Sequence, residues 1–264
     1  MKKVFTKALG PVSAVCMLAI LASNVFASVD GNSARKIDEE LFPDANFRQY
    51  VSSKIDKDSD GYLTVDEALA VTAINVDNKS IGSLEGIKYF KNLKSISCNF
   101  NSIRELEVSS LPKLNSLSCI KNGMRVLSVT DCPALSTITC CFNDLSTLSL
   151  DNFKKLKTVI CYSNPNLEFI SVIGDSNLTS LNCSNCGLKE LRFFGCHKLK
   201  TLYCQNNILD ELLVLDASLM ENAVNGTAKL MGNGTITYNS RIGAGYIMAD
   251  ADMLIIKEDL IDLM

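Results

Sequence analysis

LKSISCNFNSIRELEVSSLPK (93–113) followed by LNSLSCIKNGMRVLSVTDCPA (114–134) decides the fold. Written one above the other, the two rows set leucine on leucine, cysteine on cysteine and asparagine on asparagine. The register continues through LSTITCCFNDLSTLSLDNFKK (135–155), LKTVICYSNPNLEFISVIGDSN (156–177), LTSLNCSNCGLKELRFFGCHK (178–198) and LKTLYCQNNILDELLVLDASL (199–219). Each row has 21 residues except the fourth, where one insertion near Pro165 makes 22. Self-similarity at such a period signals stacked, one-dimensional repeats.

Column one is always Leu: Leu93, Leu114, Leu135, Leu156, Leu178 and Leu199. Column six is always Cys: Cys98, Cys119, Cys140, Cys161, Cys183 and Cys204. Column nine holds Asn101, Asn122, Asn143, Asn164 and Asn207, with Cys186 in the fifth row. The alternation around the cysteine predicts a short strand in every row. One coil cannot bury its own apolar face, so the coils stack and share a core. A second apolar pair per row, such as Leu106/Val108 or Leu127/Val129, is too short for an outer helix and predicts extended or 3₁₀ segments on the back. An atypical leading coil starts at Val71.

The pattern L-x-x-L-x-C-x-x-N-x-L resembles the leucine-rich repeat family in its short bacterial, internalin-like form. The resemblance covers 71–219 and implies a solenoid of parallel short strands, with column-nine Asn capping backbone groups where the chain leaves the strand. Cys in that column is a family variant, so Cys183-x-x-Cys186 reads as two inward columns that both hold Cys and not as half a zinc site, which needs four convergent ligands.

A solenoid needs closed ends. In 28–70, LFPDANFRQYVSSKI predicts a helix N-capped by Asp44 with Phe47, Tyr50 and Val51 on one face. DKDSDGYLTVDE (56–67) follows, with the spacing of an EF-hand loop. Asp56, Asp58 and Asp60 would offer carboxylates, Tyr62 its carbonyl, Thr64 its side chain or a water, and Glu67 a bidentate carboxylate to Ca²⁺. Gly61 permits the turn. A dockerin would need a second such loop, and the chain has one. The segment looks like the N-terminal module of secreted leucine-rich repeat proteins of anaerobic bacteria, which implies a structural ion. In 220–264, AKLMGNGTITY predicts a β-hairpin turning at Gly232-Asn233-Gly234, with GYIMA and MLIIK as further strands of a β-rich cap.

Residues 1–27 read as a secretory signal peptide: Lys2, Lys3 and Lys7, an apolar run, then Val25-Phe26-Ala27. Without those three lysines, 23 basic residues face 29 acidic ones, a net charge of −6. That balance argues against nucleic acid or anionic lipid as the main partner. No later run of 18 apolar residues predicts a transmembrane segment. The expectation is a secreted or cell-surface-associated protein.

Columns three, five and seven point outward from the cysteine strand. Thirteen of their 18 positions in 93–219 hold Ser, Thr, Asn or Gln, and none holds a charged residue or His. General acid–base chemistry needs a titratable group there, so no enzyme is expected. The expected role is non-catalytic binding of a protein or glycan, with Ile120, Cys141, Ile160, Tyr162 and Tyr203 as a candidate binding face. The alternative is a purely structural or adhesive surface component. Ladder thiols have parallel Cβ vectors, a poor geometry for disulfides, and Cys141 is expected outward and reactive. His197, the sole histidine, reads as a turn residue.

Overall fold

The computed structural model describes residues 34–175, 177–193, 196, 198–208, 211–214, 229–232, 234–239 and 253–258. The leader 1–27, the GYIMA strand and His197 lie outside them.

The chain enters through β1 (Arg35–Lys36) and α1 (Ala45–Lys54), then β2 (Tyr62–Leu63), antiparallel to β1, and α2 (Val65–Ala70). Asp44 caps α1 by accepting from Phe47 N–H at 2.8 Å, while its other oxygen accepts from Gly82 N–H at 2.8 Å. One side chain thus starts the helix and ties the cap to the leading coil. Phe42 completes the joint, stacked on Phe90 at 6.2 Å and edge-on to Phe47 at 5.6 Å. Gly86 lies at φ +95°, and a Cβ there would come within 2.6 Å of Leu41 O and run into the Phe42 ring. Only glycine permits both that backbone and that approach.

The leading coil contributes β3 (Ala73–Asn75) and a 3₁₀ turn at Ile87–Tyr89. Each later coil contributes an inner and an outer strand. They are β4 (Ser95–Ser97) and β5 (Glu105–Ser109), β6 (Ser116–Ser118) and β7 (Val126–Thr130), β8 (Thr137–Thr139) and β9 (Thr147–Ser149), and β10 (Thr158–Ile160) and β11 (Phe169–Ser171). β12 (Ser180–Asn182) and β13 (Glu190–Phe193), then β14 (Thr201–Cys204) and β15 (Glu211–Val214), complete the six rows. The inner strands form one parallel sheet in register, column three on column three from Ala73 through Ser95, Ser116, Thr137, Thr158 and Ser180 to Thr201. The outer strands are likewise parallel, β5 on β7 and β9 through β15. The core between the layers is the repeated Leu, Ile, Val and Cys columns, almost all of them without solvent exposure.

The coils turn through the left-handed region at one corner in all six rows and, in the first four, at a second. Column eight (Phe100, Lys121, Phe142, Ser163, Asn185, Asn206) lies at φ +54 to +57°, and the far corner repeats this at Ser110, Asp131, Asn152 and Gly174.

The Asn ladder closes the first corner. Asn143 Nδ2 donates to Cys119 O and Cys140 O at 3.0 Å each, while its Oδ1 accepts from Asn122 N–H at 2.9 Å and Met124 N–H at 3.1 Å. Asn101, Asn122, Asn164 and Asn207 repeat the donation to the carbonyl three residues back and to the preceding coil. Cys186 interrupts the ladder for a reason that lies one coil earlier. The extra residue of the fourth row makes Asn164–Leu167 a tight turn in which Leu167 N–H reaches Asn164 O at 2.9 Å. The amide that a fifth Asn would have served is therefore already satisfied. Pro165 O also bulges toward the next coil, where a Cβ on Gly187 would sit 2.5 Å from it. Cys186-Gly187 is the accommodation to an inserted residue.

The predicted C-terminal hairpin does not form. β16 (Lys229–Gly232) pairs parallel with β14, β17 (Gly234–Asn239) pairs parallel with β15, and β18 (Met253–Glu258) pairs parallel with β17. The open edges of the two sheets each present unpaired N–H and C=O groups, and these take the strands that the hairpin pattern had paired with each other.

Candidate binding face

Every inner strand from β4 to β12 alternates half-buried, buried, half-buried, as expected of one face on the core and one on solvent. Ile120, Ile160, Tyr162 and Tyr203 are half-buried on the solvent side. Cys141 corrects its expectation: it is only 1 % exposed. Column alternation gives the direction of its side chain, but Tyr162 of the next coil lies beside it. Burial pushes its thiol pKa up, against a lowering hydrogen bond with the Tyr162 side chain. The ten cysteines from Cys98 to Cys204 are all free and buried, and burial raises the Cys98 and Cys204 thiols to about 12. The thiols of Cys98, Cys119 and Cys161 donate to the carbonyl of the next coil's strand at 3.4–3.6 Å. Cys183 and Cys186 join no group of three metal-ligating side chains among the described residues.

The structure adds what the columns did not single out. Phe100 and Phe142 are each 50 % exposed at left-handed corners beside the inner face. A bulky side chain at positive φ is unfavourable, and here the ring gains little burial in return. Phe142 meets Tyr162 edge-on at 5.1 Å, and Lys121 Nζ lies 6.0 Å from the centre of the Phe100 ring. With Ile120 they make an aromatic rim over four coils. The readable signal was column eight itself, a position that must turn and yet holds Phe twice. The structure also places one charge at the end of this face: Asp77, which accepts from Ser97 Oγ at 2.8 Å and Asn99 N–H at 2.7 Å.

In the cap, Asp56, Asp58 and Asp60 converge, with one carboxylate oxygen from each lying within 4.8 Å of the others. Asp56 accepts from Ser59 N–H at 2.7 Å and Gly61 N–H at 3.0 Å, which winds the loop with Gly61 at φ +81°. Loss of hydration, then the Asp60 and Glu67 charges, raise the Asp58 pKa against a lowering hydrogen bond from Asp60. Glu67 is not gathered with them. It accepts from Lys57 N–H at 2.6 Å and from Thr64 N–H and Oγ1 at 2.9 and 2.7 Å, and it completes a capping box on α2. Three hard carboxylate donors in one turn fit an oxygen-preferring divalent cation. The fourth carboxylate is engaged by its own backbone.

Two sequence profiles match the chain. Residues 176–217 match leucine-rich repeats in two copies, and residues 42–164 match the leucine-rich-repeat domain of the endo-beta-N-acetylglucosaminidase EndoS. With the 21-residue period and the parallel coils, these matches identify the coils over 42–164 and 176–217 as leucine-rich repeats. Curated proteins give no match. Among solved structures, the functional domain of InlJ from Listeria monocytogenes, which includes a cysteine ladder, is 17 % identical with a TM-score of 0.48, over 86 % of this chain and 62 % of that one. InlP of the same organism is 16 % identical with a TM-score of 0.48, over 85 % and 67 %. An internalin-like protein, also from Listeria monocytogenes, is 17 % identical with a TM-score of 0.49, over 78 % and 72 %. No described helix is long and apolar enough to cross a membrane.

Proposed function

We propose that the chain is an exported, non-catalytic binding module for a protein or glycan, engaging its partner along the rim of Phe100, Ile120, Phe142 and Tyr162 with Ile160 and Tyr203 on the adjoining strands. The observation that carries this reading is the pair of half-exposed phenylalanines held at left-handed corners. Backbone strain and exposed aromatic area both oppose folding, and such features concentrate at binding sites. A screen of protein and glycan arrays with wild-type protein and with Phe100→Asn/Phe142→Asn tests it. Hits lost in a variant that melts no earlier support the rim; hits retained by it refute the assignment.

The same reading gives the cap a structural Ca²⁺ held by Asp56, Asp58 and Asp60, with the Tyr62 carbonyl and Thr64 beside them and with Glu67 joining only by giving up its hydrogen bonds to Lys57 and Thr64. The expected result is a higher melting temperature in calcium than in chelator, lost in Asp58→Asn/Asp60→Asn. Melting curves that ignore calcium would remove the ion from the proposal.

A further inference from the structure

The corner that leads into the inner strands carries lysine in four of the six coils. Residues 91–94, 112–115, 133–136, 154–157, 177–179 and 198–200 together carry eight lysines and no Asp, Glu or Arg. All eight (Lys91, Lys94, Lys113, Lys154, Lys155, Lys157, Lys198 and Lys200) are exposed. None pairs with a carboxylate; among the described residues the one ion pair, Lys189–Glu168, is elsewhere. The chain as a whole is acidic, and the cap segment 38–67 holds nine Asp or Glu against three Lys or Arg. Eight of the 23 basic residues after residue 27 are therefore gathered on one edge, away from the acidic segment in sequence.

Register makes the edge an ordered array. Residue two of each coil hydrogen-bonds to its counterpart in the coil before: Ser136 N–H is met by Asn115 O, Lys157 N–H by Ser136 O, Thr179 N–H by Lys157 O, and Lys200 N–H by Thr179 O, at 2.8–2.9 Å. Lys157 and Lys200 therefore stand two strand spacings apart, about 9.6 Å. Asn177 sits between the flanking lysines, donating to Lys154 O at 2.7 Å and accepting from Lys198 Nζ at 2.7 Å. Lys154 Nζ is held by Gly174 O at 3.2 Å. The densest part of the edge thus brackets an uncharged Asn177/Thr179 rung with ammonium groups on both sides. Of the acids that flank these segments, Asp175 is fully buried, while Asp151 is half-buried and Asp131 exposed.

We propose that this edge binds an anionic polysaccharide laid across the coils, its charged groups meeting Lys154, Lys155, Lys157, Lys198 and Lys200 and its hydroxyls meeting Asn177 and Thr179. Three features select that chemistry. The charges are spaced over several coils, which suits an extended polymer and not a single small anion. They are all lysine, a mobile point charge, with none of the bidentate forks that arginine gives to phosphate. The six segments contain no aromatic residue, and so offer no stacking platform for the bases of single-stranded nucleic acid. This site is separate from the aromatic rim, which lies at the other end of the inner strands, and it stands or falls independently of it.

The test uses purified protein and four probes: heparin as a sulfated polysaccharide, a uronic-acid polymer, neutral dextran, and oligo-dT. Binding is measured by calorimetry from 50 to 300 mM NaCl. The expected result is salt-weakened binding to at least one charged polysaccharide, none to dextran, and weaker binding to oligo-dT at equal charge. Lys155→Glu/Lys157→Glu/Lys200→Glu should lower that affinity at least tenfold with an unchanged circular-dichroism melt, while Lys36→Glu, exposed on β1 of the cap, should leave it within twofold. Three results would each overturn the proposal: equal affinity in the triple variant, equal loss from Lys36→Glu, or preferred binding of oligo-dT. Should the triple variant melt early, the milder Lys157→Gln/Lys200→Gln pair must still weaken binding for the proposal to survive.

Discussion

Asn143→Ala is the sharpest test of how the coils are held. In the ladder, Cys119 O also accepts from Asn122, and Cys140 O also from Asn164, so both carbonyls keep a partner when Asn143 is truncated. The amides do not. Asn122 N–H and Met124 N–H both donate to Asn143 Oδ1, in buried surroundings. Orphaning a buried donor costs about 1–3 kcal/mol, so the variant should lose roughly 2–6 kcal/mol. Cys186→Ala occupies the same column but should lose only about 1 kcal/mol, the value of a small buried apolar group, because Leu167 N–H is already bonded to Asn164 O. By the same logic Cys186→Asn, a change toward the repeat consensus, should not stabilise. Urea unfolding followed by far-ultraviolet circular dichroism reads the midpoint shift at constant slope, and hydrogen exchange reads Met124 N–H directly. Equal midpoint shifts for Asn143→Ala and Cys186→Ala would refute the ladder as the source of the stability.

Gly86→Ala should loosen the cap by about 2–4 kcal/mol, from positive φ and the clash with Phe42, seen as faster proteolysis of 35–70 than of the coils; equal rates would contradict it. Phe100→Asn should raise stability by about 1 kcal/mol, since Asn tolerates the left-handed corner, and a loss of that size in urea unfolding would mark the ring as structural. Asp175, its pKa pushed up to about 7 first by burial and then by the Asp151 charge, against Lys154 and a Phe153 amide, is raised relative to the unfolded chain. Its contribution is therefore intact below about pH 4 and lost as pH rises through about 7. Asp175→Asn should stabilise by up to about 4 kcal/mol at pH 8 and by nothing at pH 3, and a pH-independent difference would reject this account. The ladder thiols are raised in the same sense, so the urea midpoint should fall between pH 9 and 12 and alkylation of native protein should be slow at every cysteine including Cys141; fast labelling of Cys141 would show that it is open.

The period, the parallel sheets, the Asn ladder and the Asp44 cap were legible because each depends on which column a residue occupies, and columns can be counted. What escaped depends on contacts between columns. Cys141 points outward by alternation and is still covered, since the size of Tyr162 one coil later decides its exposure. Asp175 falls in an inward apolar column with Leu111 and Cys132, but the insertion at Pro165 shifts the count by one and hides it. The hairpin pattern around Gly232-Asn233-Gly234 is locally sound and loses to two waiting sheet edges, which no local reading weighs. The lysine edge was visible as single residues and became a surface once 21-residue rows were wound into coils.

The cysteine column sets a limit on how this protein can be made. Once coils are stacked, six thiols lie in a dry row one strand spacing apart, and none reaches solvent. Before stacking, the same six are ordinary exposed thiols free to cross-link in any order. Folding and oxidation are therefore in a race. A repeat array can nucleate in any coil pair and propagate to its neighbours, and disulfide formation takes seconds to hours. The leucine-rich coils protect their sulfur by speed first and by burial afterwards, so an oxidant present during synthesis should do damage that the same oxidant, added a minute later, cannot.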